Sequence, residues 1–139
     1  MTNETINPDS LYDSTQMGFS HAVKADGKIS IHCSGQVAWD KEGKIVGAND
    51  VGLQARQALE NLKVVLVAAG AQIKDIVRLR TYVVNHNPSL LDPIGRAIGE
   101  FYGATTPAAN TLIGVQALCL LYTSPSPRDA TLSRMPSSA

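Results

Sequence analysis

The chain has 139 residues, 44% of them hydrophobic, which is enough for one domain with a single core. Twelve basic and twelve acidic side chains give a formal net charge of zero, so no basic field draws nucleic acid or anionic lipid, and neither is expected as a partner. Met1 to Asp9 is polar and no run of about 18 apolar residues occurs, which points to a soluble cytoplasmic protein. Cys33 and Cys119 are too few for a disulfide framework or a zinc site.

Residues 1–16, rich in Asn, Asp, Ser and Thr, read as a leader that packs late or not at all. Residues 19–25 and 28–34 read as two strands joined by an Asp26-Gly27 turn, with Ile29, Ile31 and Cys33 on one face: a hairpin. Ser34-Gly35-Gln36 then runs into Val37-Ala38-Trp39, and Gly35 marks a bulge or a close backbone approach. Asp40-Lys41-Glu42-Gly43 turns the chain back through Lys44-Ile45-Val46.

The strongest signal lies in residues 50–84. Ala55, Leu59, Leu62, Leu66 and Ala69 recur at the period of one helix face, with Gln54, Gln57, Glu60, Asn61 and Lys63 on the other side. Asp50 is placed to cap the first free amides and Gly70 to close the last turn. From Ile76 the period becomes two, so Val77, Leu79, Thr81 and Val83 face one way and Arg78, Arg80, Tyr82 and Val84 the other. Asn85-His86-Asn87-Pro88 breaks this strand. Asp92-Pro93 opens a second helix whose buried face is Ile94, Ala97, Ile98 and Phe101 and which Gly103 stops. Gly95 and Gly99 imply that this helix lies close against a sheet or a neighbour. Residues 110–118 form a last strand with Thr111, Ile113, Val115 and Ala117 on one face.

The resulting order is β-β-α-β-α-β, an α+β fold with two helices on one face of a mixed sheet. The other face, with Arg78, Arg80, Tyr82 and Val84, is too mixed for a core and too apolar for solvent, and burial against other copies of the chain resolves this.

Several segments resemble the Rid family of YjgF-like reactive-intermediate deaminases. They are Gln54-Ala55-Arg56-Gln57-Ala58-Leu59-Glu60-Asn61-Leu62, Ala68-Ala69-Gly70, residues 76–83, Gly18-Phe19-Ser20-His21-Ala22-Val23 and Ser34-Gly35-Gln36, in the family's order. The resemblance covers roughly residues 6–117. It implies a chorismate-mutase-like fold, a homotrimer with sites in the clefts between subunits, and hydrolysis of reactive enamines and imines to keto acids and ammonia without a cofactor. A Rid-like domain is therefore expected over residues 1–118. Residues 119–139 break the pattern: Tyr122-Thr123-Ser124-Pro125-Ser126-Pro127-Arg128-Asp129 and the residues from there to Ala139 are rich in Ser and Pro, and read as disordered. This stretch resembles translated adaptor or vector sequence replacing the family's last strand, a genuine flexible tail being the other reading. Loss of that strand is expected to make the chain aggregate unless residues such as Leu118, Leu120 and Leu121 fill the lane.

Imine hydrolysis calls for a cation to hold a substrate carboxylate, polar groups to orient the imine, and an acid or base with a water. The family's arginine, at the start of the last read strand, falls on Ala109 or Asn110. Its tyrosine falls on Phe19, and its glutamate has no counterpart, because Glu100 lies on the second helix. The catalytic residues are thus unassigned. Phe19, Ser34, Gly35, Gln36 and Asn110 are the substrate-binding candidates. Arg78 and Arg80 either substitute for the missing cation or serve as interface or rim arginines. His21, His32 and His86 are scattered, and Cys33 alternates with Ile29 and Ile31 as a small hydrophobe. A non-catalytic protein that binds a small metabolite is the alternative, and a chorismate-mutase-like catalyst, which needs several cations, is a more distant one.

Overall fold

The computed structural model of the chain describes residues 3–119 and the backbone of Ser133–Met135. Its elements are β1 (Glu4–Ile6), β2 (Ala22–Lys24), β3 (Gln36–Val37), α1 (Val51–Ala68), β4 (Arg78–Val84), α2 (Leu91–Tyr102), β5 (Ala109–Val115) and β6 (Ser133–Met135). The architecture is α+β.

Helix α1 begins where a side chain satisfies a free amide: the Asp50 carboxylate accepts from the Leu53 N–H at 3.1 Å. Past its end Gly70 adopts φ 75°, the left-handed conformation that glycine takes without steric penalty. Ala55, Leu59, Leu62 and Leu66 of this helix pack with Leu79 and Val83 of β4 and with Ile94, Ala97, Ile98 and Tyr102 of α2 to make the main core. Two expected assignments change. Ala69 is exposed, whereas Gln54 is completely buried, its Nε2 donating to the Gly47 carbonyl at 2.8 Å. The loop before α1 folds over the first turns of the helix, so its buried stripe is wider there than the apolar pattern.

Helix α2 starts at Leu91, one residue before the expected cap, and Asp92 lies inside its first turn. Its close approach to α1 is at Gly52, where an added Cβ would stand 3.4 Å from Pro93 Cβ, and not at Gly95 or Gly99, where an added Cβ meets nothing within 4 Å. The connection through α2 makes β4 and β5 parallel, registered from Arg78 opposite Ala109 to Val84 opposite Val115. The four-stranded sheet runs β3-β6-β4-β5, and β6 is antiparallel to both neighbours. Most of residues 119–139, read from the sequence as a disordered or foreign tail, lies outside the described residues. The backbone of Ser133–Met135 occupies the lane between β3 and β4. Leu118 is buried beside Val84, while Leu120 and Leu121 fall outside the described residues.

The amino-terminal part departs most from the sequence reading. Residues 28–34 form no strand, and Gly27 does not take the positive φ of a tight hairpin turn. Strand β2 pairs instead with β1 from the supposed leader, in register Glu4–Lys24 to Ile6–Ala22. Asn3 ties this ribbon down, donating through Nδ2 to the Asp75 carbonyl and accepting from the Asp26 N–H. With its partner taken, the 28–34 segment leaves Ile29 83% exposed.

Candidate functional site

Two groups of candidate residues stand on this frame, one at each edge of the four-stranded sheet. At the β5 edge, Ser20 is buried and continues the sheet by a parallel bridge to Ala109, its N–H donating to the Ala108 carbonyl at 2.9 Å. Its hydroxyl donates to the Pro107 carbonyl and accepts from Asn7 Nδ2 at 3.2 Å. The Asn7 oxygen accepts from the His21 N–H at 2.9 Å and from the Ser14 hydroxyl at 3.4 Å. One asparagine of the supposed leader thus fixes the segment that carries Phe19 against the start of β5. Phe19 is half-buried, its ring edge-on to His21 with centroids 6.2 Å apart, and Tyr12 contacts His21 from 4.7 Å. His21 Nε2 lies 2.9 Å from the Tyr12 carbonyl, which only accepts, so Nε2 is the protonated nitrogen.

The register separates the two positions left open for the family's arginine. Asn110 lies opposite Leu79 on the helix-covered face, and its Oδ1 accepts from the buried Thr81 hydroxyl at 3.2 Å. Ala109 lies opposite Arg78 on the other face, the one with Arg80, Tyr82 and Val84. Val84 is buried there with Leu118, and Val37, Trp39, Ile45, Tyr82 and Val115 pack partly against them.

At the opposite edge stand Ser34, Gly35 and Gln36. Ser34 is exposed, Gly35 and Gln36 are half-buried, and Gln36 Nε2 donates to the Ser34 carbonyl at 3.2 Å. Asn61 holds this edge to α1: its Nδ2 donates to the carbonyls of Val37 and Trp39, both at 2.9 Å, while its oxygen accepts from Gln57 Nε2 at 2.9 Å. Sequence periodicity placed Asn61 on the solvated side of the helix. An asparagine in the helix interior, against its own propensity, was the signal available. Strands β6 and β4 lie between β3 and β5, so three strand spacings, about 14 Å, separate the two edges. Within the chain, Ser20 brings the segment that carries Phe19 to Ala109 at the start of β5, whereas Ser34, Gly35 and Gln36 stand at the other edge of the sheet.

Other polar groups lie off these edges. Burial pushes the Tyr102 hydroxyl up to about 12, with the Ala108 backbone pulling weakly the other way. Arg56 and Glu100 form a two-pronged pair across the outer face of the helices, Nε to Oε2 at 2.8 Å, and the hydrogen bond to Arg56 holds the Glu100 carboxyl below its usual range. Glu100 is therefore engaged with α1, on the exposed side of the helix pair. Among the described residues no group of three or more His, Cys, Asp or Glu side chains is placed to hold a metal ion, and no helix is long and apolar enough to cross a membrane.

A family model described as Endoribonuclease L-PSP matches residues 13–122, most of the chain. The chain belongs to the Rid (YjgF/RutC) family. A crystal structure of a Rid-family protein of unknown function from Yersinia pestis aligns over 100% of this chain and 98% of its own, at 46% identity and a TM-score of 0.88. A RutC-family protein of Pyrococcus horikoshii is 34% identical over 65% of this chain and 68% of its own length. A 2-iminobutanoate/2-iminopropanoate deaminase of Salmonella typhimurium is 38% identical over 54% of this chain and 59% of its own. Against the pattern the resemblance implies, this Rid-family chain keeps Ser34-Gly35-Gln36, replaces a tyrosine with Phe19, and carries no arginine at Ala109 or Asn110.

Proposed function

We propose that this chain is a homotrimeric enamine/imine deaminase that hydrolyses 2-iminobutanoate- and 2-iminopropanoate-type substrates to keto acids and ammonia. Family membership alongside relatives named for that activity carries the reading. The geometry supports it: the two groups of candidate residues occupy opposite edges of one sheet, so a neighbouring copy is needed to bring Ser34-Gly35-Gln36 to Phe19 and the start of β5. In such a cleft the Phe19 ring forms an apolar wall, and Gln36 and the Ser34-Gly35 backbone offer hydrogen bonds to the imine nitrogen and the incoming water. Water adds across C=N to give a carbinolamine. Proton transfer from oxygen to nitrogen then expels ammonia and leaves the keto acid.

A second reading, a non-catalytic protein that binds a small metabolite, is favoured by one observation. Neither Ala109 nor Asn110 supplies a cation, and the Asn110 oxygen is already engaged by Thr81. The discriminating experiment is a coupled assay with freshly generated 2-aminoacrylate. Release of ammonia and pyruvate faster than in buffer supports the deaminase. Release at the buffer rate from a folded protein overturns it in favour of binding.

A further inference from the structure

The missing family arginine leaves the open question of what holds a substrate carboxylate, and the strand register offers an answer. Ser20, Ala109 and Arg78 lie in one row across three adjacent strands, Ser20 bridged to Ala109 and Ala109 paired with Arg78. Paired residues of neighbouring strands project from the same face with backbones about 4.8 Å apart. The small methyl of Ala109 therefore stands beside the base of the Arg78 side chain and takes up little of the space next to it.

We propose that Arg78 is the carboxylate-binding residue of the site, its guanidinium serving from β4 the position that Ala109 leaves without a cation on β5. The proposal rests on the imine-acting reading above. Arg78 is half-buried, so part of its stem is already ordered by packing. It takes part in an interaction within the protomer, and a guanidinium carries five donors in a planar fork, enough to serve a carboxylate in addition. Arg80 shares the face but pairs with Thr111, two residues or about 6.6 Å further along the strand from Ala109. The role thus falls to Arg78 and makes Arg80 the internal control. The ligand class follows: a small 2-oxo or 2-imino acid bound by its carboxylate, in preference to an ester or amide of the same skeleton.

Titration with 2-oxobutanoate and with its methyl ester tests this in the wild-type chain and in Arg78→Gln, Arg78→Lys, Arg80→Gln and Arg78→Gln/Ala109→Arg variants, each checked for a folded circular-dichroism spectrum. The proposal expects the acid to bind the wild type more tightly than the ester. Arg78→Gln then weakens acid binding roughly 10- to 100-fold, as loss of a two-pronged charged contact does, and leaves ester binding unchanged. Arg78→Lys keeps part of the affinity, Arg80→Gln keeps all of it, and the double variant recovers it by moving the guanidinium one strand across. Equal acid binding by wild type and Arg78→Gln overturns the Arg78 assignment while the imine-acting reading stands. Binding of neither ligand to the folded wild type, with no turnover of 2-aminoacrylate, overturns both.

Discussion

The two faces of the four-stranded sheet are built to different degrees of completion. Under α1 and α2, Leu79 and Val83 are completely buried in a cluster drawn from both helices and β4. On the opposite face the buried members among the described residues are Val84 and Leu118, bordered by partly buried Tyr82, Val115, Trp39, Val37 and Ile45, and the buried indole N–H of Trp39 has no hydrogen-bond partner among those residues. The chain finishes one core by itself. The second face carries Val84, Tyr82 and Val115 beside Arg78 and Arg80, and in the proposed assembly it is the face that a neighbouring copy covers, with Arg78 at the site.

Truncation in the first core has the largest expected effect. Leu62→Ala or Leu79→Ala removes a fully buried side chain and costs about 2–5 kcal/mol in urea unfolding. Val84→Ala on the other face is expected to cost less than half of that in dilute protein, with a loss that grows where the protein associates; equal costs at all concentrations would erase the contrast between the faces. Next comes Asn61→Ala, which removes the side-chain donor that ties the carbonyls of Val37 and Trp39 to α1, the Val37 carbonyl keeping the Trp39 N–H, and is expected to cost about 1–3 kcal/mol while loosening the β3 edge. Hydrogen exchange on residues 36–39 reads that loosening.

Tyr102 gives a pH test of the helix-covered core. Its folded value, about 12, lies above its ordinary value of 10.0, so the unfolded chain ionises first as pH rises. The contribution is whole below about pH 10 and is lost between there and about 12. Tyr102→Phe should flatten the alkaline fall in stability across that window, and an unchanged fall would remove the group from this role. The smallest effect is expected from Arg56→Ala: both partners of the pair with Glu100 are exposed, and such pairs add little. Because Glu100 is held low, whatever the pair adds is present at neutral pH and disappears as pH falls through the folded value.

The reading from sequence succeeded where local rules and burial agree. Asp50, Gly70 and the spacing of Ala55, Leu59, Leu62 and Leu66 define α1 from residues within and beside it, and the alternation in β4 sorts Leu79 and Val83 from Arg78 and Arg80. It failed where the outcome depends on a distant partner. A hairpin within residues 19–34 and a β1–β2 ribbon compete for the same strand, and Asn3 and Asn7, making contacts far along the chain, bring the amino-terminal segment into the ribbon. Gln54 and Asn61 looked solvated by helix period alone, because the loop and strand that cover them come from elsewhere. The candidate residues were legible by type, as a row of family-like segments. Their separation onto opposite edges was not, since it depends on where β6 inserts.

The native mass of the chain tests the central claim most directly. Sedimentation at micromolar concentration should give a species three times the 14.8 kDa chain if, as proposed, neighbouring copies cover the second face and bring the two sheet edges together. A folded species that remains a monomer across that range would contradict the account, leaving Ser34-Gly35-Gln36 and Arg78 with no shared cleft.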